Sequence, residues 1–254
     1  MTMTIAVAGK GGVGKTTFAA LLIKHIRAQD LGYVIAIDGD PSANLNLALG
    51  MELLETVGHI REDASIQVRS GRYDASIPKA DFFEYRINES LVEGDKIDLV
   101  AMGRPEGPGC YCAANNILRN VIDQMGDQYD FVVIDNEAGM EHISRQTTRH
   151  VDKLFVVTDM TMRGLAAAAH IVQLVKELGT RVQDSYLVIN RVNHQIPAIM
   201  QQKIEELGLE LIGTLPSDEN VTEFDMIGRP IFEIGDEAPV YKAVVEIATK
   251  AGIE

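Results

Sequence analysis

Short apolar runs recur along the chain, separated by longer segments in which apolar residues return at helical spacing. The runs at 4–8, 33–38, 97–101, 131–135, 154–157, 185–190 and 211–214 are predicted strands. Most are continuously apolar rather than alternating, which suits strands covered on both faces. Helices are predicted over 16–29, 113–125, 164–178, 196–207 and 240–250. Leu165, Ala168, Ala169, Val172 and Val175 repeat at helical spacing and form a core face, a packing feature rather than a cofactor site. Strands alternating with helices imply right-handed crossovers. The expected fold is therefore α/β, a doubly wound, mostly parallel sheet with helices on both faces. Ligands of such sheets gather at the carboxyl ends of the strands. With no internal repeat, low-complexity segment or linker, residues 1–254 are expected to form one domain. Residues 51–96 interrupt the pattern by mixing charges with scattered apolar residues. They are expected to be a solvated insertion, with a partner-binding or switch segment as the alternative.

Composition narrows the class. The chain has 254 residues, 46% hydrophobic and 24% charged, values of an ordinary globular protein able to bury a sizeable core. Its net charge of −14 argues against broad binding to nucleic acid or to an acidic membrane, because both need a cationic surface. No run approaches the length of a transmembrane helix. The start, Met1-Thr2-Met3-Thr4, leads straight into a strand without the features of a signal peptide. Two cysteines one residue apart do not make a disulfide framework, and a cytoplasmic location is expected.

The first predicted strand runs into Gly9-Lys10-Gly11-Gly12-Val13-Gly14-Lys15-Thr16-Thr17, which fits the phosphate-loop pattern G-x-x-x-x-G-K-[ST]. Glycines let successive backbone N–H groups turn around phosphate oxygens, and the following helix offers the positive end of its dipole. Lys15 is placed to reach the β- and γ-phosphates, and the Thr16 hydroxyl to hold Mg²⁺. Gly9, Gly11 and Gly14 also satisfy the dinucleotide fingerprint G-x-G-x-x-G, with Asp38 where a ribose-binding acid would stand. The Lys15-Thr16 pair decides for a nucleoside triphosphate, since the dinucleotide pattern does not require it.

Two acidic motifs stand at the ends of predicted strands. Asp38-Gly39-Asp40-Pro41 follows the second strand, and by itself reads as a good turn sequence. Val132-Val133-Ile134-Asp135 is an apolar strand ending in an acid, followed by Gly139. A carboxylate at that tip can hold a Mg²⁺-bound water, and Gly139 would let the backbone approach the γ-phosphate. Phosphoryl transfer depends mainly on placement and electrostatics, so these positions matter more than their acidities.

The remaining chemistry lies at 104–116, a Pro/Gly-rich loop carrying Cys110 and Cys112, the chain's two cysteines, to the start of a predicted helix. A helix N-terminus favours thiolate. A disulfide between neighbours this close would be strained, so a redox couple is disfavoured. Two thiolates fall short of the four ligands Zn²⁺ prefers, or of a square-planar Ni²⁺ site. A two-fold dimer would supply four. Incidental helix-end cysteines are the plain alternative.

The loop with its additional lysine, Lys10, resembles the deviant Walker A sequence of the SIMIBI ATPases, which include septum-site and partition ATPases and metal-insertion ATPases. Together with Asp40-Pro41, the Cys-x-Cys, Asp135-Asn136-Glu137-Ala138-Gly139 and Asn190-Arg191, the chain is similar to CooC-type nickel-insertion ATPases that mature carbon monoxide dehydrogenase, and to their acetyl-CoA synthase relatives. The resemblance implies ATP hydrolysis to ADP with Mg²⁺, a homodimer in which Lys10 reaches the partner's nucleotide, and a dimer-shared Ni²⁺ or Zn²⁺ site at Cys110 and Cys112. It also implies that Asp40 activates the attacking water while Asp38 fixes the switch loop. Asn190, Arg191, Pro216 and Asp218 would surround the base. The guanine-type Asn-Lys-x-Asp signature is absent, which favours ATP. The client implied is a nickel enzyme. A positioning ATPase that acts on DNA, membrane or a partner, and an iron–sulfur cluster carrier, are the rival readings.

Overall fold

The computed structural model describes residues 2–71, 85–86, 90–103, 128–137 and 150–254. Seven strands form one sheet: β1 (Met3–Gly9), β2 (Val34–Asp38), β3 (Ile97–Ala101), β4 (Phe131–Asp135), β5 (His150–Asp159), β6 (Arg181–Asn190) and β7 (Leu211–Thr214). Their order is β3-β2-β4-β1-β5-β6-β7, and every pairing between these strands is parallel. The chain leaves β1 toward β2 on one side and reaches its other side with β5. The tip of β1 thus stands at the reversal of strand order, where open α/β sheets bind ligands.

Helices α1 (Lys15–Ala28), α2 (Leu45–Leu49), α3 (Val57–Arg69), α4 (Met162–Glu177), α5 (Ala198–Glu206), α6 (Glu219–Ile227) and α7 (Pro239–Lys250) are described, with a 3₁₀ turn at Ile231–Glu233. Alternate residues of a strand face opposite sides, and the core divides accordingly. Ile5 and Val7 pack with α1 and α7, whereas Ala6 and Ala8 pack with Leu165 and Ala168 of α4. Phe18 of α1 and Phe155 of β5 meet with ring centroids 5.2 Å apart. Ala6 pairs with Ile134, so the cluster of Ile35, Ile37, Ile134, Val57 and Ile60 continues the α4 face toward β3.

Several elements differ from the sequence reading. Residues 51–96 hold a helix rather than only a solvated insertion: α3 buries Val57, Ile60 and Ala64. Tyr33 is 55% exposed and precedes β2 instead of starting it. The helix read over 196–207 begins at Ala198, after Pro197. Strands β5 and β6 extend several residues before their apolar runs, because Lys153 and Asp184 pair across the two strands at 2.7 Å. α2 and α6 were not anticipated. No residue of α6 is fully buried, and only Val221 and Phe224 lean partly on the core, a stripe too short to read from the sequence. The helix expected at 113–125 lies outside the described residues.

Candidate functional site

β1 ends at Gly9, whose φ is 153° and where a Cβ would stand 2.2 Å from the Val157 carbonyl oxygen. Glycine is what lets the chain turn away here while still pairing with β5. The loop runs over exposed Lys10, Gly11 and Gly12, turns Val13 inward, and ends at Gly14, the left-handed N-cap of α1. Gly14 has φ 94°, a conformation that a side chain would strain. Lys15 is only 7% exposed, and its Nζ reaches back across the loop to the Lys10 carbonyl at 3.4 Å. No acidic residue lies in the first turn of α1, so the positive end of the helix is free to face an anion.

Thr16 Oγ1 donates to Asp135 Oδ2 at 2.6 Å, joining the helix start to the tip of β4. Asp135 is 1% exposed and its Oδ1 has no hydrogen-bond partner. Burial pushes the Asp135 carboxyl up to about 7, against the Thr16 hydroxyl, while the neighbouring Asp38 charge adds to the rise. Asp38, likewise buried, is pushed up to about 6 by the same cause, although backbone N–H groups hold it down. Its Oδ1 accepts from Asp40 N at 3.0 Å and its Oδ2 from Leu45 N at 2.8 Å. Asp38 therefore ties both ends of the 39–45 loop to β2. Asp40 is half-buried within that loop, and its Oδ1 accepts from Ser42 N at 2.8 Å. Gly39 N donates to the Asp135 carbonyl at 2.9 Å, so the two acidic segments share a direct backbone bond.

On the other flank a cavity of about 470 Å³ opens beside the loop. Gly14, Thr17, Asn190, Arg191, Pro216 and Asp218 all line it, bringing the two predicted nucleotide-contacting groups together. Asn190 Nδ2 donates to the Val13 carbonyl at 2.7 Å. The Asp218 carboxylate is engaged within the protein: Oδ1 accepts from Asn220 N at 2.9 Å, capping α6, and Oδ2 from Val240 N at 3.0 Å at the start of α7. Two further residues carry the site without having been singled out. Asn136 Nδ2 bonds the Val7 carbonyl at 2.9 Å, and Asn193 Oδ1 accepts from Ser217 N at 3.3 Å. Both sit just past strand tips, the one signal that marks them.

The residues suit Mg²⁺ with a nucleoside triphosphate. A threonine hydroxyl and an acid with one unpartnered buried oxygen make a hard-oxygen donor set of the kind Mg²⁺ takes, directly or through its waters. Glu55, His59 and Asp63 form a second group with metal-ligand spacing. There Arg86 already stands 2.7 Å from Glu55 and 3.6 Å from Asp63, so the carboxylates have their counter-charge. Cys110, Cys112 and Gly139 lie outside the described residues.

A parallel sheet with a glycine-rich loop at its reversal point, backed by buried acids, defines a phosphate-loop nucleotide-binding protein. Residues 4–231 match the CobQ/CobB/MinD/ParA nucleotide binding domain family, and the chain belongs to this family of ATPases. It is 45% identical over 248 residues to an uncharacterized ATP-binding protein of Methanocaldococcus jannaschii, covering 98% of both chains. It is 29% identical over 246 residues to the carbon monoxide dehydrogenase accessory protein CooC of Rhodospirillum rubrum, covering 91% of this chain and 90% of that one. Among solved structures, the Pyrococcus furiosus cell division ATPase MinD superposes with a TM-score of 0.70 at 23% identity, covering 98% of each chain. Among the described residues no helix is long and apolar enough to cross a membrane.

Proposed function

We propose that the chain is a homodimeric, cytoplasmic, single-domain ATPase that couples Mg²⁺-dependent ATP hydrolysis to the delivery of nickel to carbon monoxide dehydrogenase or acetyl-CoA synthase. The observation that carries this reading is the sequence Cys110-Tyr111-Cys112 and its place in the chain after β3. The segment that carries the two cysteines begins directly after Gly103, which follows β3, the strand paired with β2 and its acidic loop. Gly58 N donates to the Met102 carbonyl at 2.8 Å, and a Cβ on Gly103 would meet Thr56 Oγ1 at 2.3 Å, so the departure point is firmly seated. Similarity to the carbon monoxide dehydrogenase accessory protein over most of both chains supports the same reading.

In this reading Lys15 and the N–H groups of Gly11, Gly12, Val13, Gly14, Thr16 and Thr17 hold the phosphates, and Lys10, exposed on the loop, reaches the partner's nucleotide. Mg²⁺, when bound, would neutralise charge on the phosphates, with the Thr16 hydroxyl holding it and Asp135 holding one of its waters. Asp40 positions the attacking water, while Asp38 fixes the loop that carries Asp40. Gly139 belongs to the second switch. Asn190, Arg191 and Pro216 face the base. Cys110 and Cys112 of two chains hold Ni²⁺ or Zn²⁺ as cargo, and subunit geometry links that site to the nucleotide.

The test is a calorimetric titration of Ni²⁺ and Zn²⁺ into the protein, alone and with ADP or a non-hydrolysable ATP analogue, alongside mass by light scattering. One metal per two chains, shifted by nucleotide and lost in Cys110→Ser/Cys112→Ser, is expected. Cysteine-independent or absent binding overturns the nickel role and leaves an ATP switch. Co-sedimentation with DNA or liposomes in ATP would then identify a positioning ATPase, a reading the net charge of −14 opposes.

A further inference from the structure

Asn190 is the last residue of β6, yet its amide is turned toward the phosphate loop. Its Nδ2 donates to the Val13 carbonyl at 2.7 Å, and its Oδ1 accepts from Arg191 N at 2.8 Å. The two bonds define which end of the amide faces the loop. Arg191 is held at φ 59°, a left-handed conformation rare outside glycine, and the Asn190 bond is made to its N–H. The approach is close: a Cβ on Gly14 would stand 2.3 Å from Asn190 Nδ2.

The Val13–Gly14 peptide is trans, so its carbonyl and N–H point in opposite directions. Drawing the Val13 oxygen toward β6 turns the Gly14 N–H away from β6. We propose that Asn190 is a positioning residue for the phosphates: by holding the Val13 carbonyl it aims the Gly14 N–H at the anion. The proposal rests on the nucleotide-binding reading of this loop and adds a residue that acts on the phosphates from outside the loop.

Asn190 also lines the cavity with Pro216 and Arg191. One side chain therefore borders both the space for the nucleoside and the peptide that faces its phosphates. A nucleoside competing for Asn190 changes the phosphate cradle, and a correctly set cradle presents the amide to the nucleoside. A side chain that only touched the base would have no influence on a ligand lacking one.

That difference is the experiment. Inorganic tripolyphosphate with Mg²⁺, which has no base, is titrated against wild type, Asn190→Leu and Asn190→Ala, each also titrated with ADP. Leucine keeps the branched shape of asparagine and removes both polar ends but is bulkier, and alanine, which is smaller, separates loss of the hydrogen bonds from overpacking. Melting of the unliganded proteins is followed in parallel, and each titration is run well below the midpoint of that variant. Loss of one oriented hydrogen bond predicts tripolyphosphate binding about tenfold weaker in both variants. Unchanged tripolyphosphate affinity overturns the proposal, whether or not ADP weakens, and reduces Asn190 to a base contact or a packing residue. Wild type that binds neither ligand would overturn the nucleotide reading, and the proposal with it.

Discussion

Asp38 and Asp135 stand side by side in register at the tips of β2 and β4, both buried, and the protein treats them oppositely. Both oxygens of Asp38 accept backbone N–H groups, whereas Asp135 has one oxygen on Thr16 and one with no partner. One carboxylate is committed to the fold, and the other keeps an oxygen without a partner in the protein.

Stability of the unliganded protein should therefore fall as pH rises. Both acids have folded values raised above the ordinary carboxylate range, to about 6 for Asp38 and about 7 for Asp135. A raised folded value means that the folded state holds the proton more tightly than the unfolded chain does. The resulting stabilisation is complete below about pH 4 and is lost as pH climbs through 6 and 7. Differential scanning calorimetry between pH 5 and pH 8 reads it. Asp135→Asn should flatten the fall and raise stability at pH 8 by about 1–3 kcal/mol, while lowering hydrolysis sharply. An equally steep fall in that variant would show that Asp135 is not its source.

Asp38→Asn should behave differently. The substituted amide must turn an NH₂ group toward either Asp40 N or Leu45 N, two donors facing each other. A loss of about 1–3 kcal/mol is expected by urea denaturation, despite removal of a buried charge. A stabilised variant would mean that relief of the buried charge outweighs the clash between the new NH₂ group and these two donors.

Gly9→Ala tests the turn out of β1. With the Val157 carbonyl 2.2 Å from the added carbon, β1 and β5 must separate. About 3 kcal/mol or more of stability should be lost. Thermal unfolding within a degree or two of wild type would contradict the close approach.

Lys15→Ala should abolish ATP hydrolysis while leaving the melting of the unliganded protein nearly unchanged, since the Lys15 Nζ makes one long bond at 3.4 Å. Turnover at the wild-type rate would remove the loop from the mechanism.

What the chain made legible was local. The phosphate loop is nine consecutive residues whose glycines, lysine and threonine act where they stand in sequence, so its chemistry could be read directly. The apolar strands marked a covered parallel sheet, and the acids at 38 and 135 followed from lying at strand ends. α3 was harder because its few buried residues are interspersed with charges. The polar starts of β5 and β6 were invisible to hydropathy, because Lys153 and Asp184 satisfy each other across strands.

By itself the sequence determined the sheet class, the phosphate loop and the sites where acids end strands, since each depends on neighbours along the chain. Only the tertiary structure decided the strand order, the commitment of Asp38 to the backbone and the opening of Asp135. It alone brought Asn190 to Val13, 177 residues away in the chain. These are choices of hydrogen-bond partner between distant segments. No local preference encodes such a choice; it emerges when burial leaves each polar group with only the partners that packing brings within reach.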